Sequence, residues 1–82
     1  MKIRLHPHAR ARLKERGATE QEIVATVEGG ERIAARFGRV AFRRNFAYNA
    51  SWQGRSYATK QVEAIAVEEE GWLVITAIVR YY

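Results

Sequence analysis

The hydrophobic period of this chain changes at Gly29-Gly30, and neither an all-helical nor an all-β fold accommodates both halves. Upstream of the glycine pair the punctuation is helical. Pro7 suits the first turn of a helix, His6 can precede it as a cap, and Gly17 suits a left-handed stop. A helix is therefore expected over residues 7–16, with Leu5, Ala9 and Leu13 as its apolar line. Thr19 with Glu22 three residues on is a capping box, and Ile23, Val24 and Val27 give a second helix, over residues 20–28, a short apolar face. Two short helices should pack as a hairpin.

Downstream the pattern alternates. Ile33, Ala35 and Phe37 interleave with Arg32, Ala34 and Arg36, Gly38-Arg39 can turn, and Val40, Phe42, Phe46 and Tyr48 line one side of the next strand. Residues 49–56, with their Asn, Ser and Gly and an exposed-looking Trp52, read as a mobile loop. Residues 60–67 and 72–82 form a second hairpin around Glu68-Glu69-Glu70-Gly71. The last strand is apolar on nearly both faces, which argues for the middle of the sheet. Residues 1–5 can add a further short strand. The expected architecture is α+β: two N-terminal helices on a four-stranded antiparallel sheet, in one domain over residues 1–82.

Charge narrows the function. Residues 1–44 carry eleven Lys or Arg against five Glu, whereas residues 45–82 carry three against four, so the basic surface belongs to the first half. Eleven of the fourteen basic residues are Arg, whose planar fork grips phosphate in two places and stacks on bases. With no Cys the chain has no disulfide framework, thiolate metal site or cysteine nucleophile. With no Asp it lacks the acidic clusters that hold catalytic divalent metals. His6 and His8 flank Pro7 without a matching carboxylate, so no metal and no cofactor are expected. The charged start holds no apolar run of signal-peptide length and no run spans a bilayer; a soluble, cytoplasmic protein is expected, with no membrane partner.

Several residues could carry chemistry. On a helix His8, Arg12 and Arg16 recur every four residues, close enough along one side to converge on an anion. Imidazole titrates near neutrality, so His8 suits a general base; it equally suits a helix cap packed on Leu5. Arg16 can instead neutralise the helix C-terminus or pair with Glu22. Alternation puts Arg44 on the side of Val40, Phe42 and Phe46, where a guanidinium needs a partner: a carboxylate such as Glu63, or a ligand phosphate in a pocket, unless a bulge turns it outward. Thr76 is the lone polar side chain in Val74-Ile75-Thr76-Ala77-Ile78-Val79, where threonine is also simply a good strand former. Lys60 opens a strand and can be a solvated strand end. Tyr48, Trp52, Tyr57, Tyr81 and Tyr82 can stack on bases or fill the core.

The run His8-Ala9-x-x-Arg12-Leu13-x-x-Arg16-Gly17-Ala18, followed by Thr19-x-x-Glu22, resembles the opening of the DUF4258 family of small bacterial proteins, relatives of the RelE/ParE toxin superfamily. Val74-Ile75-Thr76 matches the family's pattern on its last strand, and Lys60-x-Val62 its basic residue before a strand. The resemblance implies a RelE-like fold and a toxin-like RNA endonuclease of a toxin–antitoxin pair, cutting through the 2′-hydroxyl without metal. His8, Arg44, Lys60 and Thr76 would form the catalytic set, and Arg12, Arg16, Arg43 and Tyr81 would hold the nucleic acid. Lys60 and Tyr81 stand loosely where the strongest RelE enzymes keep a Lys and a Tyr. RNA or the ribosome and an antitoxin protein are the implied partners. The alternative is a basic module of the same fold that binds RNA or protein and cuts nothing.

Overall fold

A computed structural model describes residues 2–82; Met1, part of the short strand expected over residues 1–5, lies outside them. The elements run β1 (Ile3–Leu5), α1 (Pro7–Arg16), α2 (Glu20–Gly29), β2 (Glu31–Ala34), β3 (Val40–Trp52), β4 (Arg55–Glu68) and β5 (Trp72–Tyr81). The fold is α+β, as the change of period requires.

Both helices begin and end on the residues that their sequence marks. The His6 ring accepts from the His8 amide, Pro7 occupies the first turn, and Gly17 closes α1 at φ 77, a left-handed conformation open to Gly at little cost. Thr19 and Glu22 exchange both bonds of the capping box, at 3.1 Å and 2.9 Å. α1 lies over β5 and α2 over β3 and β4. Ala9, Leu13, Ile23 and Val27 descend from the helices onto Phe42, Val62, Ala64, Ala66, Trp72, Val74 and Ala77 of the sheet. Phe42 meets Trp72 edge to face, with centroids 5.0 Å apart.

The sheet departs from the expected four antiparallel strands. It has five strands in the order β1-β5-β4-β3-β2, and β1 runs parallel to β5 through Ile3 to Trp72 and Leu5 to Val74. The crossover that a parallel pair demands is supplied by everything between them, including both helices. The middle strand is β4, not the final one; β5 has a neighbour on each side only over Trp72–Val74. Beyond that point Arg16 of α1 donates to the Ala77 carbonyl at 2.7 Å and satisfies part of the open edge.

Two turns also differ. Phe37 and Gly38, both left-handed at φ 61 and φ 70, form the β2–β3 turn, one residue earlier than Gly38-Arg39, so Phe37 leaves the strand and projects into solvent. Residues 49–56 are not a loop. β3 continues to Trp52, returns through Gln53-Gly54, and pairs with β4 from Arg55, with an irregularity between Ala47 and Ala50 where Asn49 takes φ 47. The ends of this long hairpin reach the α1–α2 turn.

Candidate functional site

That contact determines what Lys60 and Tyr81 do. Lys60 is 7% exposed, and its ammonium donates to the Gly17 carbonyl at 2.9 Å and to the Glu22 carboxylate at 3.0 Å. Its positive charge also lies 5.2 Å from the centre of the Tyr48 ring. The Tyr81 hydroxyl donates to the Arg16 carbonyl at 2.6 Å. Around its ring stand Trp52, stacked at 5.1 Å, Tyr48 at 5.1 Å and Tyr57 at 5.7 Å. A half-buried aromatic box thus closes over the turn. Trp52 is one wall of it, not a solvent-facing side chain. Lys60 and Tyr81 satisfy backbone carbonyls that the end of α1 leaves without helical partners.

Burial first, then the charges of Tyr48 and Glu22, push the Tyr81 phenol above its ordinary value. Because the folded pKa is the higher, this stabilisation is complete below the unfolded phenol value, about 10, and is lost as pH rises through the folded value. Denaturant unfolding should therefore show a loss of stability above pH ~10, and Tyr81→Phe should shrink that loss. An identical alkaline decline in the variant would mean that Tyr81 ionises as freely in the fold as outside it.

The arginines of α1 do not converge. Arg12 pairs with Glu15 at 2.9 Å, Arg10 with Glu20 at 2.9 Å, and Arg16 turns to Ala77. On β3 the alternation holds, but the partners are exchanged. Arg43 stands opposite Glu63 and pairs with it at 2.9 Å, while Arg80 reaches the same carboxylate at 3.3 Å. Arg44, exposed rather than buried, donates to the Ala25 carbonyl at 3.1 Å and lies against Gly29 and the Phe46 ring. It supplies a cation near the C-terminal end of α2, whose own last turn has none. Arg12, Arg43, Arg44 and Lys60 therefore do not share one face.

Another group does come together. His6 continues the β1 pairing by donating its amide to the Val74 carbonyl at 2.8 Å, and His8 follows on the first turn of α1. On β5 the register slips: Ala66 opposes Val74 while Ile65 opposes Thr76, leaving Ile75 as an extra residue. A bulge of this kind re-aims side chains. Here Ile75 and Thr76 line, with His6, His8 and Arg39, an open hollow of about 390 Å3. A larger depression, about 580 Å3 along α1, is bordered by the Arg10–Glu20 pair and offers no comparable proton carrier. Sequence alone casts Arg39 as a turn residue, because only the fold carries it to β5. His6 was read only as a cap and a weak metal ligand.

Among the described residues Arg32, Arg36 and Arg39 have no carboxylate partner. Arg32 lies over Trp72 at 5.1 Å and Arg39 beside Phe37 at 5.9 Å. Arg32, Arg36 and Arg39 thus leave unpaired positive charge on the β2–β3 hairpin, while Lys14 and Arg16 of α1, with Lys2, Arg44 and Arg55, also lack a carboxylate partner among the described residues. Among the described residues no helix is long and apolar enough to cross a membrane. In comparisons with protein-family models, curated proteins and solved structures, the chain matches none.

Proposed function

We propose that this protein is a toxin-like endoribonuclease of the DUF4258 and RelE kind, and that its chemistry lies in the hollow lined by His6, His8, Arg39 and Thr76. It would act in the cytoplasm on RNA, free or on the ribosome, under the control of an antitoxin protein. The observation that carries this reading is the meeting of His6, His8, Arg39 and Thr76 in the lining of one open hollow. Cleavage through the 2′-hydroxyl needs one group to remove the nucleophile's proton, one to return a proton to the departing 5′-oxygen, and a cation for the phosphoryl oxygens.

The hydrogen bonding suggests a division of labour. His6 Nδ1 accepts the His8 amide at 3.1 Å, so the neutral His6 ring carries its hydrogen on Nε2 and can offer it as a hydrogen bond to a phosphoryl oxygen. His8, with no side-chain bond of its own among those of the described residues, would act as the base. As His8 takes the 2′-hydroxyl proton, the 2′-oxygen bonds to phosphorus. The bond from phosphorus to the 5′-oxygen breaks, and that oxygen takes a proton from water, whose hydroxide the His8 imidazolium neutralises. The products are a 2′,3′-cyclic phosphate and a 5′-hydroxyl. Arg39 would hold the non-bridging oxygens and Thr76 would donate to one of them.

The second reading is a binding module without turnover. It is favoured by the engagement of Lys60, Arg12 and Arg44 within the fold, which leaves only one arginine at the hollow. A time course on labelled RNA, with chelator present, with and without ribosomes, separates the two. Cyclic-phosphate ends are expected from the wild type, and His8→Gln should slow cleavage by about 10²-fold while RNA affinity holds. Equal inertness of wild type and His8→Gln in both settings leaves the binding module, and equal activity removes His8 from the mechanism.

A further inference from the structure

The tip of the β2–β3 hairpin is an unusual place for phenylalanine. Phe37 is 86% exposed and occupies the first left-handed position of its turn, at φ 61, where Asn, Asp or Gly are the unstrained choices. A bulky side chain at that angle gains no burial in return. The second position, Gly38, has nothing within 4 Å of where a Cβ would stand, so the tip is open on that side as well. Beside the ring stands a cation, the Arg39 guanidinium, 5.9 Å from its centre.

Charge selects what such a ring would meet. Arg36 and Arg39 bracket Phe37-Gly38, neither has a carboxylate partner among the described residues, and the same Arg39 lines the hollow with His6, His8 and Thr76. An acidic apolar partner would satisfy the guanidiniums. However, a flat aromatic face carried next to cations and close to an open hollow lined by the same Arg39 fits a ligand that alternates planar rings with anions. Single-stranded nucleic acid is such a ligand, since its unpaired bases present free π-faces while its phosphates follow the backbone. A duplex offers the same phosphates with its bases already stacked.

We infer that Phe37 is a stacking platform for an unpaired base, and that Arg39 couples this platform to the hollow by holding the phosphate beside that base. The inference rests on the proposed site at the hollow for the identity of that phosphate, and on the hairpin tip alone for the platform. It makes the preferred substrate single-stranded at the nucleotide next to the bound phosphate, with base identity secondary because every base has a π-face.

Phe37→Gly is a suitable probe, because glycine accepts φ 61 freely and the lost ring is 86% exposed. With labelled RNA of equal length as single strand and as duplex, Phe37→Gly should weaken single-strand binding by about 5- to 100-fold. Duplex affinity and the salt dependence should stay as they are, since no charge is removed. Phe37→Trp should restore the loss. Arg39→Gln should differ in kind, weakening both ligands and flattening the salt dependence of each.

Unchanged single-strand affinity in Phe37→Gly overturns the inference, as does an equal loss on duplex, or a wild type that binds neither RNA. Loss of adhesion to phosphatidylserine vesicles with RNA binding intact would overturn it in favour of a membrane wedge. The two proposals fail separately. If Phe37→Gly loses affinity while neither wild type nor His8→Gln cleaves, the platform stands without the nuclease; if His8→Gln stops cleavage while Phe37→Gly is silent, the nuclease stands without the platform.

Discussion

Lys60→Met is expected to lower the free energy of unfolding by about 3 kcal/mol, near the lower end of what breaking a buried ion pair costs. The substitution removes three interactions of one ammonium: the Glu22 carboxylate at 3.0 Å, the Gly17 carbonyl at 2.9 Å and the Tyr48 ring. The larger part of the cost is what remains behind. Glu22 keeps its bond from the Thr19 amide, and its side chain is 21% exposed, so water relieves some of the stranded charge and the upper end of the range is not reached. Adding Glu22→Gln should recover part of the loss, because the double variant no longer buries an unpaired carboxylate. Urea unfolding of wild type, Lys60→Met and the double variant measures both numbers. The same set decides whether Lys60 reaches RNA. A phosphate ligand would lose affinity with an unchanged unfolding midpoint, whereas the observed bonding requires the midpoint to move first.

The contrast between what local sequence specified and what it did not runs through these same residues. Helix ends were legible because His6, Pro7, Gly17, Thr19 and Glu22 act within one turn of their own positions. The shared face of Phe42, Arg44 and Phe46 on β3 was legible too. Partner identity was not: Glu63, one of the partners the sequence leaves open to Arg44, stands opposite Arg43 through a register fixed by the whole hairpin. Residues 49–56 have loop composition, and they form strand because Tyr48, Trp52 and Tyr57 gain stacking on Tyr81 from the opposite end of the chain. No window of sequence contains that gain. The parallel strand β1 is three residues long and pairs across almost the full chain, which places it beyond any periodicity argument. The hollow has the same origin: β1, the start of α1, the bulge of β5 and the end of a hairpin turn contribute to it, and only Thr76 and His8 stood out beforehand.

Gly17 carries the other large expected effect. Its φ of 77 already disfavours any other residue, and a Cβ built there would lie 2.5 Å from Trp52 Cζ3 and 2.7 Å from the Tyr81 hydroxyl. Gly17→Ala must therefore bear the left-handed penalty of about 1 kcal/mol. It must also displace two rings of the aromatic box, at an overpacking cost of roughly 1–3 kcal/mol, and strain the Tyr81 bond to Arg16, worth about 1 kcal/mol. A total loss of roughly 3–5 kcal/mol is expected from these three terms. Gly54 is the control: it has φ 83 and nothing within 4 Å of its Cβ position, so Gly54→Ala should show the left-handed penalty alone, about 1 kcal/mol. Equal shifts in the two denaturation midpoints would mean that the box yields freely and that backbone conformation is the only role of Gly17. Trp52 fluorescence should change in Gly17→Ala and stay constant in Gly54→Ala if the rings are displaced. His8 lies at the other end of α1, about 15 Å away for a ten-residue helix. Folded Gly17→Ala should therefore keep the cleavage rate of the wild type while losing stability, which separates the aromatic box, as the clamp on the α1–α2 turn, from the hollow where His8 and Thr76 meet.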